Sequence, residues 1–472
     1  MLRHVFGYFL ARALPGVMSF LAIAVYTRML DPDEYGVYAL AVSVVGFVSI
    51  ACFQWVQVSV LRFYIVGSES SAKVLGAALF AFFVSSIPAV LACVVIWVFL
   101  DAPIKRQLIM IAAPLIWVQA WFELNLELAR CRFEIFRYGL ISAVRSVVAL
   151  AAGIFFIYCD LNELAPVLGL VVGGVVGSLV AGINVWRGAS WGAEVRDELR
   201  IFSSYGAPLA VAFLLALVVS SSDRIILAWL IGEEAAGLYS ASYDFVWQVT
   251  TLLFVAINLA AYPLVVKAYE QSEQSVAVRQ MSQNGSLFLL LAVPVTVGFS
   301  LLAPQFAEVF LGAEFSQAAA ELIPWVAVSA FFAGFRAYHF DLAFQLKKKT
   351  YLQIWGLGVS AFLNVVLNLL LVPLWGIEGA IFSTFLAYVF SLGVSIFLGR
   401  RLLKIPLSFA DLLKTVFSSC VMAAAIVFLE AEAGSLALVG QILFGALIYA
   451  LMVFLLNFMG LRSMAVERFR GW

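Results

Sequence analysis

The chain has 472 residues, 64% of them hydrophobic and 12% charged, with a mean hydropathy of +1.05. Soluble domains carry about 25% charged residues, so a water-soluble enzyme or binding module is excluded. A membrane β-barrel is excluded as well, because the alternation over about ten residues that marks one is absent. The net charge is zero, which indicates no nucleic acid or other strongly charged macromolecular partner.

Apolar runs of 18 or more residues are membrane-helix candidates, and the chain is nearly all such runs. They predict helices at 8–30, 36–60, 74–100, 108–129, 139–159 and 164–186. Six more follow at 201–230, 236–262, 284–303, 319–344, 351–371 and 377–399, and a last pair at 416–430 and 436–458. No cleavable signal peptide is expected, and the first apolar run is expected to stay as an anchor. The five cysteines (Cys52, Cys93, Cys131, Cys159, Cys420) show no CxxC and no metal-ligand spacing. Nothing in the motifs calls for a metal or a cofactor.

Lys and Arg concentrate on the cytoplasmic side of membrane proteins. With the N-terminus inside, 22 of the 28 basic residues fall on inner segments, while the outer loops keep only Lys105 and Arg106. Both termini are therefore expected in the cytoplasm, and the helix count is even.

The sequence repeats itself. Gly36-Val37-Tyr38 follows an acidic turn between two apolar runs, and Gly237-Leu238-Tyr239 does the same 201 positions later. Pro88 and Pro294 are 206 apart, Pro114 and Pro324 are 210 apart, and Glu127-Leu128-Ala129 precedes Asp341-Leu342-Ala343 by 214. Two six-helix halves of like orientation follow, related by a pseudo-twofold axis along the membrane normal, a transporter plan. The fold class is thus an all-α polytopic membrane protein of about 14 transmembrane helices. The expected division is an N-lobe over 1–188, a cytoplasmic linker over 189–200, a C-lobe over 201–400, and an appended helix pair with its tail over 401–472.

Thr27-Arg28-Met29-Leu30 with the acidic turn and Tyr35-Gly36-Val37-Tyr38 resembles the opening of Wzx-type polysaccharide flippases. Ser222-Asp223-Arg224-Ile225-Ile226-Leu227 leading to Gly237-Leu238-Tyr239 is similar to the start of their second half. Asn364 through Asn368, followed by Pro373-Leu374-Trp375-Gly376-Ile377-Glu378-Gly379-Ala380, looks like their Pro-x-x-Gly-x-x-Gly-Ala turn. The resemblance spans the first twelve helices. It places the chain in the multidrug/oligosaccharidyl-lipid/polysaccharide exporter superfamily, beside lipid II flippases and multidrug extrusion transporters. It implies two lobes around a central cavity, alternating access, and a substrate of oligosaccharide on undecaprenyl pyrophosphate in a bacterial inner membrane.

A charge at mid-bilayer costs about 2.5–3.5 kcal/mol on insertion scales, so intramembrane charges are expected to face a cavity or a partner. Glu123, Glu127 and Arg130 share one helix face, and Arg145 is deep enough on the next helix to reach them. Either Glu and Arg form a structural pair, or Arg145 binds a phosphate or acidic sugar and the glutamates take protons. Arg224 and Asp244, each ten residues from position 234, are expected at equal depth, as an ion pair or, with Asp223, as a lobe-lining site. Arg336 lies about two turns inside the bilayer and is the first choice for a pyrophosphate contact, because a guanidinium donates to phosphate oxygens in pairs. His339 is either a proton carrier or a helix-packing group, and Asp341 either couples an ion or pairs with Lys347, Lys348 and Lys349. Arg28 is an outer latch or an interfacial pair. Gln54, Gln57 and Asn258 can contact sugar hydroxyls or join helices.

The functional expectation is an alternating-access flippase. Arg336, Arg145, Arg224 and Arg28 are the basic groups for the pyrophosphate, and Glu123, Glu127, Asp223, Asp244, Asp341 and His339 are candidates for coupling to H+ or Na+. Polysaccharide polymerase and glycosyltransferases are the expected neighbours. The rival is an ion-coupled multidrug antiporter on the same architecture. An enzyme is disfavoured, because the outer loops are short and hold no histidine.

Overall fold

The computed structural model describes residues 2–67, 71–99, 103–191, 194–271, 274–429, 434–460 and 462–463. Arg468 and Arg470, and the side chains of Arg3, Arg12, Lys105 and Arg106, lie outside the described residues. Among the described residues the regular structure is helical: α1 (Leu2–Met29), α2 (Pro32–Phe63), α3 (Ser71–Phe99), α4 (Pro103–Cys131), α5 (Ile135–Ile157), α6 (Ala165–Ala181), α7 (Glu194–Leu230), α8 (Glu233–Gln271), α9 (Gln274–Leu301), α10 (Ala303–Phe310), α11 (Ala313–Phe335), α12 (Leu342–Leu346), α13 (Gln353–Gly399), α14 (Phe409–Phe428) and α15 (Ser435–Leu455). Eleven helical segments of the described residues are long and apolar enough to cross a membrane. One of them holds α13, whose 47 residues run to about 70 Å at 1.5 Å per residue, far beyond the roughly 30 Å of a hydrocarbon core. It breaks at Gly376, where φ is 59° and ψ is −133°, so it is two spans. With these two halves, and α1 and α4 beside them, the helices of the described residues roughly match the fourteen expected.

The chain divides into two compact units, Met1–Gly237 and Leu238–Trp472. In the first, α2 is central and packs on α3, α4 and α7, while α1 and α6 pack on α5. The Asp31 backbone N–H donates to the Glu34 carboxylate at 3.2 Å, and Pro32 occupies the first helical position. That combination fixes the start of α2. Close packing of α5 and α6 follows from Gly169, Gly173 and Gly177, since a Cβ at any of these would press on Ala149, Gly153, Arg145 or Phe122. A core of Val56, Val60, Val74, Leu124 and Phe202 joins α2, α3, α4 and α7. The segment expected as a separate surface linker is continuous from Glu194 with the membrane-crossing part of α7, and α7 packs within the first unit.

In the second unit α11 packs on α9, α10 and α13, around Phe254, Phe288, Phe335 and Leu392. The last pair, α14 and α15, docks on α9 through Leu302, Met422, Ile426 and Leu438. Two polar contacts add to that seam. Ser286 donates to the Asp411 carboxylate at 2.6 Å, and the Tyr449 hydroxyl donates to the Leu290 carbonyl at 2.7 Å. α14 begins at Phe409, seven residues before the expected start.

Exposed faces are apolar where lipid would lie. Phe83, Ile87 and Leu91, spaced one turn apart on α3, are each about 60% exposed.

Candidate functional site

In the first unit, α4 carries Glu123, Glu127 and Arg130, and α5 brings Arg145 to them. The Arg145 Nη1 donates to Glu123 Oε1 at 3.1 Å, with 19% and 35% of the two side chains exposed. Its guanidinium carbon lies 4.3 Å from the centre of the Phe122 ring. α6 presses on the same turn, because a Cβ at Gly177 would stand 3.1 Å from that of Arg145. The guanidinium is therefore held by a carboxylate, an aromatic face and a tight helix contact. Glu127 pairs with Arg130 at 3.4 Å, within its own helix.

Arg28 donates to the Ala24 carbonyl of its own helix at 2.6 Å and is exposed. Gln57 is buried, and its amide donates to the Ala120 carbonyl of α4 at 3.5 Å, a helix-joining role. Gln54 is half-buried. Asp223 is fully buried and Arg224 nearly so, with Ser221 and Ser222 beside them. In the second unit, Asp244 and Asn258 are both half-buried.

The second unit holds a denser polar cluster. α11 does not end at Phe335 but passes into one π turn, Arg336–Phe340, closed by the Asp341 N–H donating to the Arg336 carbonyl at 2.9 Å. Such single π turns concentrate at functional sites. Arg336 donates from Nη1 to Ser391 Oγ at 3.1 Å, while its Nε is buried without a hydrogen-bond partner. Asp341 is buried and accepts from Ser395 Oγ at 2.7 Å. Among the described residues no carboxylate comes within ion-pair distance of Arg336, and no Lys or Arg comes within that distance of Asp341. The three lysines that follow, Lys347, Lys348 and Lys349, are exposed, so the expected interfacial pairing of Asp341 with them does not occur.

His339 is fully buried. Its ring stacks on Phe335 at 5.4 Å and 4°, stands edge-on to Phe340 at 4.9 Å, and lies against the Pro406 backbone. A Cβ at Gly285 of α9 would collide with it.

The sequence reading did not mark the partners on the second half of α13. Thr384, Tyr388, Ser391 and Ser395 recur at steps of four, three and four, so they lie on one face. All four are buried. Thr384 accepts from the Asn364 amide at 3.0 Å and lies 3.5 Å from the Tyr239 hydroxyl. Tyr388 meets Tyr243 hydroxyl to hydroxyl at 3.3 Å. Ser391 also donates to the Gly356 carbonyl at 3.0 Å. A polar seam thus runs along that half-helix, with Arg336 and Asp341 set against its end. The hydroxyl periodicity was visible in the chain but sat inside a run read as uniformly apolar.

Chemically, such an arrangement can hold an anion at Arg336, whose remaining donors are not taken by a carboxylate. It can also exchange a proton or small cation at Asp341, whose carboxylate accepts from the Ser395 hydroxyl.

Comparison with known proteins agrees with this architecture. Residues 25–320 match the family model for polysaccharide biosynthesis protein. The probable low-salt glycan biosynthesis flippase Agl15 of Haloferax volcanii is 21% identical over 454 residues, covering 93% of each chain. The lipid II flippase MurJ of Bacillus subtilis is 25% identical over 142 residues, 30% of this chain and 26% of that one. Among solved structures, a lipid II flippase MurJ in an inward closed conformation superposes with a TM-score of 0.78 at 12% identity, covering 95% of this chain and 98% of the other. An inward-facing MATE family transporter gives 0.61 at 14% identity, over 84% and 97%. These relatives are flippases and transporters rather than enzymes. The chain belongs to the polysaccharide biosynthesis protein family, and its fold is that of the superfamily of multidrug and polysaccharide exporters.

Proposed function

We propose that this protein is a flippase that carries undecaprenyl-pyrophosphate-linked oligosaccharide across the bacterial inner membrane by alternating access, for assembly of a surface or exopolysaccharide of O-antigen or capsule type. Arg336 is the observation that carries this reading. It lies in a segment long and apolar enough to cross a membrane and is bonded to a serine rather than to a carboxylate. An arginine kept in a membrane without a closed ion pair is costly, and a phosphorylated lipid head supplies a direct partner during transport. The similarity to Agl15, a probable flippase of glycan biosynthesis, supports the substrate class.

Arg145 takes a lesser part, because a phosphate oxygen there competes with the Glu123 carboxylate. Arg224 and Arg28 are the remaining basic groups. Glu123, Glu127, Asp223, Asp244, Asp341 and His339 are the groups through which H+ or Na+ coupling would act, and Gln54 and Asn258 offer amides to sugar hydroxyls. The distribution of Lys and Arg supports cytoplasmic termini. An ion-coupled multidrug antiporter shares the fold, but Arg336, bonded to a serine rather than to a carboxylate, suits an anionic head group better than a cationic drug.

The test is Arg336→Ala in a strain lacking the gene, with surface polysaccharide measured at matched protein levels. Near-complete loss is expected, and partial output from Arg336→Lys, which keeps the charge but loses the planar fork. Wild-type output from Arg336→Ala discards the assignment.

A further inference from the structure

Arg336 and Asp341 are five residues apart. On an α-helix they would point about 140° away from each other at 3.6 residues per turn. The π turn between them narrows that offset, since its hydrogen bond closes from residue 336 to residue 341 and brings the second close to above the first. Both side chains therefore address the same neighbour, α13. There Ser391 and Ser395 stand one α turn apart on one face and take one charge each, at 3.1 Å and 2.7 Å. Arg336 acts on Asp341 electrostatically, yet the two do not close into an ion pair.

Ser391 does not need Arg336 to satisfy its own donor. Ser391 already donates to the Gly356 carbonyl at 3.0 Å, which fixes its hydroxyl so that a lone pair faces Arg336. Ser395 spends its single proton on Asp341. One serine is thus set as an acceptor for the cation and the other as a donor to the anion. The remaining titratable group of the turn, His339, is packed between Phe335, Phe340 and Pro406.

We propose that Ser391 and Ser395 are positioning residues that hold Arg336 and Asp341 as two separate charges and prevent their collapse into a salt bridge. The π turn supplies the register that makes this two-point clamp possible. Resting on the reading that Arg336 meets a pyrophosphate, the clamp has a further consequence. An anion arriving at Arg336 takes away the counter-charge of Asp341, which then takes up a proton, so loading of the head group and proton uptake go together.

The test uses full-length protein in lipid nanodiscs and dicyclohexylcarbodiimide, which modifies protonated carboxyls in apolar surroundings, with labelling at Asp341 read by peptide mass spectrometry. Ser395→Ala removes the donor to the carboxylate and raises labelling several-fold. Ser391→Ala frees Arg336 to close on Asp341, which holds it ionised and lowers labelling. Ser391→Thr and Ser395→Thr keep the hydroxyls and restore the wild-type level. General loosening of the bundle moves both alanine variants the same way, and that result, or no change in either, overturns the proposal. Ser391→Cys and Ser395→Cys, close in size but weak in hydrogen bonding, give the same opposed pair of shifts if an alanine variant does not fold. Inorganic pyrophosphate added to the wild type raises labelling when it occupies Arg336. Opposed serine effects without a pyrophosphate response uphold the clamp and overturn the anion contact at Arg336.

Discussion

Gly36 and Gly237 pack backbone to backbone, each standing where the other's helix leaves no room for a side chain. A Cβ on Gly36 would run into the Glu233 carbonyl, and one on Gly237 into the Pro32 carbonyl. The two glycines are the matching positions of the sequence repeat, so the repeated turns meet reciprocally, as related copies do. Gly36→Ala or Gly237→Ala is expected to cost about 1–3 kcal/mol through overpacking. The measurement is thermal unfolding of the purified protein in detergent, and an unchanged midpoint for both variants contradicts the contact.

The Glu123–Arg145 pair predicts coupled behaviour. Arg145→Ala leaves a half-buried carboxylate without its donor, and Glu123→Gln leaves the guanidinium without its counter-charge. Each should lower stability by about 1–3 kcal/mol. The double variant should lose less than the sum of the two, with an interaction energy of about 0.5–3 kcal/mol. A thermal double-mutant cycle decides this, and strict additivity would show the pair to be energetically idle.

Gly376 divides α13. Its φ of 59° with ψ of −133° lies in territory that a side chain disfavours. Gly376→Ala should cost about 1–3 kcal/mol and reduce the yield of monodisperse protein. Gly440→Ala, where an added Cβ meets nothing within 4 Å, serves as the control and should behave as wild type in size-exclusion chromatography.

The last two helices are fastened rather than merely adjacent. Ser286→Ala removes the donor to the Asp411 carboxylate and should cost about 1–3 kcal/mol. Limited proteolysis of the connection after Gly399 should then quicken. A cleavage rate equal to wild type argues that apolar packing alone holds the pair.

Much of this was legible in the chain because the bilayer imposes a strong rule on composition. Spans, the hairpin repeat, the prolines inside α3, α4, α9 and α11 and the break at Gly376 all leave marks that single residues reveal. The Glu123–Arg145 contact followed from spacing on two neighbouring helices. What did not show was local backbone deviation and the partners it selects. The π turn at Arg336–Phe340 has no compositional signature, so Arg336 and Asp341 were assigned to different depths and different partners. The start of α14 was placed too late, because nothing in the local sequence announces that Ser286 donates to Asp411. The short helix α10 lay in what was read as a loop, although Pro304 marks its first turn.

The continuity of α7 changes where the chain can bend. Its start at Glu194 and its buried Asp223 and Arg224 belong to one 37-residue helix, so the segment between the sequence repeats is helical up to the charges. Its weak point is Pro208, which lacks a backbone N–H to donate. Two residues before it, Gly206 is pressed against the Trp55 carbonyl, while Ser59 donates to the Phe202 carbonyl at 3.1 Å. The first half of α7 is thus held on α2 on the side of Pro208 away from Asp223 and Arg224.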